Sequence, residues 1–329
     1  MKNLPAKFNN LFSKIKKQNG FYEVNVNSRQ IDLVLDLLRL DKDYQEYLFD
    51  HLFRDYRILN QNVMRPEQHT HFQNFIYRGQ MDFTWGLIPG SFRNFVNDEK
   101  SYTQQEIENL LNFIRCTDEL NIQIPSDSSS LRNHLKKILA EKGNMACNNW
   151  INEVTHEMLG YAQHYGAVTR LLDWSYNPLV SLYFSSIGLL KAKTKPKYFS
   201  LYILNIDYLK IKNPEKDLVS VLNIPKGLNK HISYQNGCFT LVEQEDYRNS
   251  QQSKDFLKKL GMEKDLTPKH INDVLSYHNQ DYCLLKINFH KNTAQTIFKY
   301  CNSMGINASS IYEPGEALKN RIEEIKFTK

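Results

Sequence analysis

The feature that most restricts how this 329-residue chain can fold is the run from residue 178 to 190, Pro-Leu-Val-Ser-Leu-Tyr-Phe-Ser-Ser-Ile-Gly-Leu-Leu. Proline suits the first turn of a helix, and the apolar residues behind it read as a buried helix that pins the loop before it. Strand-like segments lie at 72 to 77, 198 to 206, 237 to 243 and 282 to 289, aromatic and β-branched stretches set off by Pro, Gly and Lys-rich connections. Helical spacing marks 28 to 53 with Ser28 as N-cap, then 104 to 113, 131 to 140, 145 to 163, 293 to 304 and 316 to 325. Helices and strands alternate irregularly, so the expected class is α+β: a mainly antiparallel, mixed sheet with surrounding helices, preferred over a doubly wound parallel sheet. Residues 1 to 65 read as a helical N-terminal region and 66 to 329 as the main domain with a C-terminal elaboration.

Charge and cysteine content narrow the function classes. The 42 Lys and Arg against 36 Asp and Glu leave a formal charge of +6, enough to admit a phosphate-bearing or acidic partner without demanding one. Cys116, Cys147, Cys238, Cys283 and Cys301 are odd in number and scattered, with no CxxC pair, which fits a reducing compartment. The basic start lacks the apolar core of a secretory signal, and no run approaches the roughly 20 apolar residues that span a bilayer. A cytoplasmic protein with no membrane partner is expected. Phe8, Leu11, Phe12 and Ile15 have helical spacing among lysines and suit a terminal helix, or a membrane-surface or nucleic-acid arm. His69 and His71 could converge on a strand but have no third partner, so no metal is expected.

Polar residues with chemical potential gather in two segments. Tyr77-Arg78-Gly79-Gln80 places an arginine at the end of a strand, where its planar fork suits phosphate and the glycine permits a sharp turn or a close ligand. The same arginine could instead form a buried salt bridge with Asp173, and the two readings are compatible. Residues 163 to 174, Gln-His-Tyr-Gly-Ala-Val-Thr-Arg-Leu-Leu-Asp-Trp, follow a helix that Gly166 would cap. Here Tyr165 could stack on a planar ligand, His164 could serve as acid or base or be structural, Thr169 offers a hydroxyl and Arg170 a second cation. Trp174 reads as core. Gln235, in Gln235-Asn236-Gly237-Cys238-Phe239, either points an amide into the same cleft or packs.

In this order the motifs resemble the FRG-domain family, which is named for an aromatic-Arg-Gly motif and carries His-Tyr-Gly-x-x-Thr-Arg-Leu-Leu-Asp-Trp-Thr, then Asn-Pro and a small apolar helix. The resemblance is strong over 70 to 190 and weaker over 230 to 320. Ser175 replaces the usual threonine, Val168 a common proline, and residues 311 to 316 stand where the family has a Phe-Pro-Asp-like stretch.

The layout is also similar to ADP-ribosyltransferases, in which an Arg or His on a first strand holds NAD and a later Glu is catalytic. That similarity implies NAD as substrate, with Arg78, Gly79, Gln80, Tyr165, Thr169, Arg170, Asp173 and Gln235 around it. His164 with Glu243 or Glu313 would be catalytic, Glu316 being a further candidate carboxylate. A toxin or antiphage effector that modifies a protein or nucleic acid is the implied role. The alternative is a non-catalytic ligand-sensing or nucleic-acid-binding module using the same arginine-centred cleft. A glutamate in reach of that cleft favours the enzyme, and a lining of amides and arginines favours the binder.

Overall fold

A computed structural model of the chain describes residues 14–38, 75–93, 102–140, 151–206, 209, 219–227, 229–242, 271–277 and 283–328. Its centre is an eight-stranded sheet in the order β1-β2-β8-β5-β3-β4-β7-β6. The strands are β1 (Lys16–Gln18), β2 (Phe21–Val26), β3 (Phe75–Gln80), β4 (Leu172–Ser175), β5 (Tyr198–Asn205), β6 (Val219–Leu222), β7 (Gly237–Val242) and β8 (Leu284–His290). Every pairing is antiparallel except β2 with β8, so the α+β class with a mainly antiparallel mixed sheet holds. The middle strands β5 and β8 are buried along nearly their whole length, as expected of strands covered on both faces.

Four sequence expectations shift. Among the described N-terminal residues, Lys16–Gln18 and Phe21–Val26 are strands and join the main sheet, where a helix was expected. Tyr22, Val24 and Val26 alternate with Glu23 and Asn25, a period of two that the lysine-flanked helical spacing before them obscured. Within the described residues helix begins at Ile31–Leu37, after a 3-10 turn whose capping box is built by Asn27 and Gln30 rather than by Ser28; the rest of the helix expected over 28 to 53 lies outside the described residues from 39 on. The expected helix at 145 to 163 is Glu153–His164 within the described residues, with Asn152 as its N-cap. Arg78 is not at a strand end: β3 pairs with β5 as far as Gln80 opposite Ser200, so the arginine lies inside the strand.

The helix Pro178–Lys191 is buried against β3, as its sequence requires, and packs on its other side against the helix Ala294–Ser303. Asn177 caps it, accepting from the Leu179 N–H at 2.9 Å, and Pro178 fills the first turn. Its buried hydroxyls are satisfied locally or on the strand: Ser185 and Ser186 donate to carbonyls one turn back, and Ser181 donates to the Tyr77 carbonyl at 2.8 Å. The approach is so close that a Cβ on Gly79 would stand 1.8 Å from the Ser181 carbonyl oxygen. Gly79 is therefore demanded by packing of helix on strand.

Two apolar cores result. The larger surrounds the Pro178–Lys191 helix, β3, β5 and β8. The smaller lies beneath the helices Tyr102–Glu119, Ser129–Ala140 and Glu153–His164, against Phe239 of β7 and Ile232. The motif from 164 to 177 threads the seam between them, with Leu171 in the smaller core and Leu172 and Trp174 in the larger. No helix among the described residues is long and apolar enough to cross a membrane.

Replacing Gly79 with alanine should cost at least the upper end of the roughly 1–3 kcal/mol typical of overpacking, because the clashing atom is backbone and cannot rotate away. Gly166→Ala meets open space but must hold φ at +90°, so its expected loss is about 1 kcal/mol. Urea unfolding of the two variants beside wild type tests both the sign and the order.

Candidate functional site

Arg78 anchors the site. Its side chain is 14 % exposed; Nη1 donates to the Asp173 carbonyl at 2.5 Å and lies 3.6 Å from Asp173 Oδ2. Its Nε is buried and has no hydrogen-bond partner among the described residues. Burial pulls the guanidinium below its ordinary pKa, and the Asp173 carboxylate pulls it back up. The arginine thus has a partner for its charge, with donor capacity left over.

Asp173 is held in turn by a chain of polar contacts. Thr169 donates its hydroxyl hydrogen to Gln163 Oε1, and Gln163 Nε2 donates to Asp173 Oδ1. Thr169 also accepts from the Leu171 N–H at 3.2 Å, fixing the bend that leads into β4. Gly166, at φ +90°, ends the Glu153–His164 helix so that the chain can reverse, and the Ala167 N–H returns to the Ala162 carbonyl at 2.9 Å. Gln163 opens the second motif, and the structure gives it the linking role between Thr169 and Asp173.

Two cavities meet at this point. One, of about 300 Å³, is lined by Arg78, Gly79, Asp173, Ser181, Phe184 and Gln235 among others. The other, of about 180 Å³, is lined by Gln163, His164, His231, Gly237 and Phe239, and shares Asp173, Trp174 and Gln235 with the first. Side by side, with three lining residues in common, they form a cleft at the lower end of the roughly 300–1,000 Å³ range of small-molecule sites.

The second cavity brings together residues far apart in sequence. The rings of His164 and His231 stack with centroids 3.2 Å apart. Burial, and then the neighbouring His231, push His164 down to about 4, and burial lowers His231 while Glu313 and Glu316 pull it up. Both rings are therefore neutral near pH 7. His231 Nε2 is 3.5 Å from Glu313 Oε1, and Nδ1 is 4.0 Å from Glu316 Oε2. His231, on the short helix Lys230–Tyr234, carries no motif in the sequence, and only the fold places it against His164.

The other expected site residues divide. Gln235 lines both cavities; its Nε2 reaches the Ile311 carbonyl at 3.5 Å, and its own carbonyl accepts from Ser175 Oγ at 2.6 Å. Ser175, where threonine is usual, keeps the hydroxyl this contact needs. Tyr165 is 54 % exposed, packs its ring against His164 and Tyr161, and is not among the residues that line the two cavities. Gln80 turns away from the cleft and donates to the Gly86 carbonyl at 3.2 Å. Arg170, expected as a second cation, is instead fully buried: Nε meets Glu106 Oε2 at 2.5 Å, its N–H meets Oε1 at 2.6 Å, and Nη2 donates to Thr103 at 3.2 Å. Trp174 is core, donating to Thr240 Oγ1 at 2.8 Å. Glu243, His69 and His71 lie outside the described residues.

The fold and the cleft define an α+β protein with an arginine-lined cleft at the seam of two cores. The family model of the FRG domain matches residues 73–193, so the chain carries an FRG domain there. That stretch holds Arg78, Gln163, His164, Asp173 and the buried helix, and leaves out His231, Gln235 and the late glutamates, which come from elsewhere in the chain. No curated protein and no solved structure matches the chain.

Because Arg170 sits in a buried pair, Glu106→Gln strands its charge and should cost about 3–5 kcal/mol of stability. Converting both partners, as Glu106→Leu with Arg170→Met, should lose markedly less. Denaturant unfolding of the single and double variants measures the difference, and equal losses would mean that the pair is not a self-contained unit.

Proposed function

We propose that the cleft is a recognition site for an anionic ligand of nucleotide type, NAD being the candidate, with its phosphates at Arg78. The observation that carries this reading is the Arg78 side chain: tied to Asp173 at one nitrogen, with a buried Nε that lacks a hydrogen-bond partner among the described residues, beside a cavity of about 300 Å³. A guanidinium with spare donors, held rigid by a carboxylate and a carbonyl, is preorganised for phosphate. Among the described residues that line this cavity, the carboxylate is Asp173, already engaged with Arg78 and Gln163, and Gln235 contributes an amide. Such a lining suits binding, as in a ligand-sensing or nucleic-acid-binding module.

A second reading, ADP-ribosyl transfer from NAD to a macromolecule by a toxin or antiphage effector, is favoured by one contact. Glu313 lies 3.5 Å from His231, which lines the adjoining cavity, so a late carboxylate stands near the far end of the cleft. There it would stabilise a developing oxocarbenium ion or orient an acceptor.

Calorimetric titration with NAD, paired with an assay for released nicotinamide, tests both readings. Arg78→Lys keeps the charge and loses the fork, and should weaken NAD binding about 10-fold to 100-fold in a chain that still melts cooperatively. Binding without release by wild type supports the recognition module. Release that disappears in Glu313→Gln supports the transferase. A folded wild type that binds no NAD removes NAD from both.

A further inference from the structure

We propose that His164, His231 and Glu316 form a divalent-metal site of the zinc class, with an open coordination position facing the second cavity, which both histidines line. One ligand atom from each residue lies within 4.8 Å of the others. Zinc bound at about 2.0–2.2 Å in tetrahedral geometry sets its donors roughly 3.3 Å apart, so side-chain rotations that open the stacked His164 and His231 rings toward a common point bring this trio to coordinating distance. Two imidazoles and one carboxylate are a donor set that suits zinc and its first-row neighbours, and is a poor match for calcium or magnesium, which take oxygen ligands.

A second observation points to a ligand. The His231 side chain is 8 % exposed, and its Nδ1 is a buried atom with no hydrogen-bond partner among the described residues. That atom faces Glu316, at 4.0 Å, across from the stacked ring of His164. On the other side of the ring, Nε2 faces Glu313 at 3.5 Å. A carboxylate that takes the Nε2 hydrogen fixes the tautomer in which Nδ1 carries a lone pair, the arrangement in which an outer carboxylate orients a metal-bound histidine. Glu313 is thereby a positioning residue and Glu316 the ligand.

The placement gives the site two consequences. It ties the end of the Glu153–His164 helix, the Lys230–Tyr234 helix and the start of the Pro314–Thr328 helix, three segments remote in sequence, to one ion. Three protein ligands also leave a fourth position for water or a ligand donor, and His164 and His231 both line the second cavity. The proposal goes beyond the reading of Arg78 as a phosphate site and does not rest on it.

The test uses the full-length, untagged chain, stripped with a chelator and titrated with Zn²⁺ against a chromophoric competitor, with Co²⁺ as a spectroscopic probe. One tight equivalent per chain is expected, with a visible Co²⁺ band of low coordination number. Glu316→Gln and His231→Gln should each weaken Zn²⁺ binding at least 100-fold, and Glu313→Gln about 10-fold to 100-fold. Zn²⁺ should raise the melting temperature of wild type and not that of Glu316→Gln, whose half-exposed side chain can change without unfolding the chain. Should His231→Gln fail to fold, Glu316→Gln carries the decision. Absence of stoichiometric Zn²⁺ binding by folded wild type, or tight binding unchanged in Glu316→Gln, overturns the proposal.

Discussion

The contact between the Pro178–Lys191 helix and β3 governs the rest of the structure. The Ser181 carbonyl sits where any side chain on Gly79 would have to go, so helix and strand lie at backbone contact. This closeness puts Arg78, the neighbour of Gly79, beside the loop that enters the helix, and brings its Nη1 to the Asp173 carbonyl. Ser181 donates to the Tyr77 carbonyl across the same contact. The glycine of the aromatic-Arg-Gly motif therefore serves packing, and the arginine gains its position from it.

The cleft is built from a rigid inner part and an outer part assembled from distant chain segments. The inner part is the chain of contacts from Thr169 through Gln163 to Asp173, which also accepts from Arg78. Beneath it, Arg170 and Glu106 lock the segment to the Tyr102–Glu119 helix with a fully buried ion pair. The two arginines thus do opposite things: Arg170 is enclosed on several sides by acceptors, while Arg78 keeps donor capacity beside a cavity. The outer part adds His231, Gln235, Glu313 and Glu316 from the C-terminal half, outside the matched FRG region.

The C-terminal helix belongs to this architecture. Glu324 is fully buried, accepting from the Tyr183 hydroxyl, from the Ala308 N–H at 3.0 Å and from Arg321 at 2.8 Å. A buried carboxylate with three donors is well compensated. It fastens the Pro314–Thr328 helix to the central Pro178–Lys191 helix, which sets where Glu313 and Glu316 stand relative to His231. Within the sheet, Lys286 of β8 donates to the Phe83 carbonyl at 2.6 Å among the rings of Phe21, Phe83 and Tyr202.

Local chemistry made much of this legible. Proline at position 178 and glycine at 166 mark a helix start and a helix end by what their backbones allow, and both stand there in the fold. The apolar strands around 198, 237 and 282 were visible because burial on both faces demands such runs, and Asp173 is the natural carboxylate for Arg78. The short strand β4 was hidden, since four residues carry too little alternation to read. The partner of Arg170 was hidden too, because an arginine in a motif looks the same whether acceptors enclose it or a ligand will. His231, Glu313 and Glu316 were the least legible: nothing in their own neighbourhoods signals a cluster, and only the sheet order and the buried helix packing bring them to His164. Sequence alone determined the longer strands, most of the described helices and the arginine motif, through backbone preference and hydrophobic pattern; tertiary structure decided the short strands and which polar residues meet, because ion pairs and ligand sites are fixed by distances that spacing along a chain does not encode.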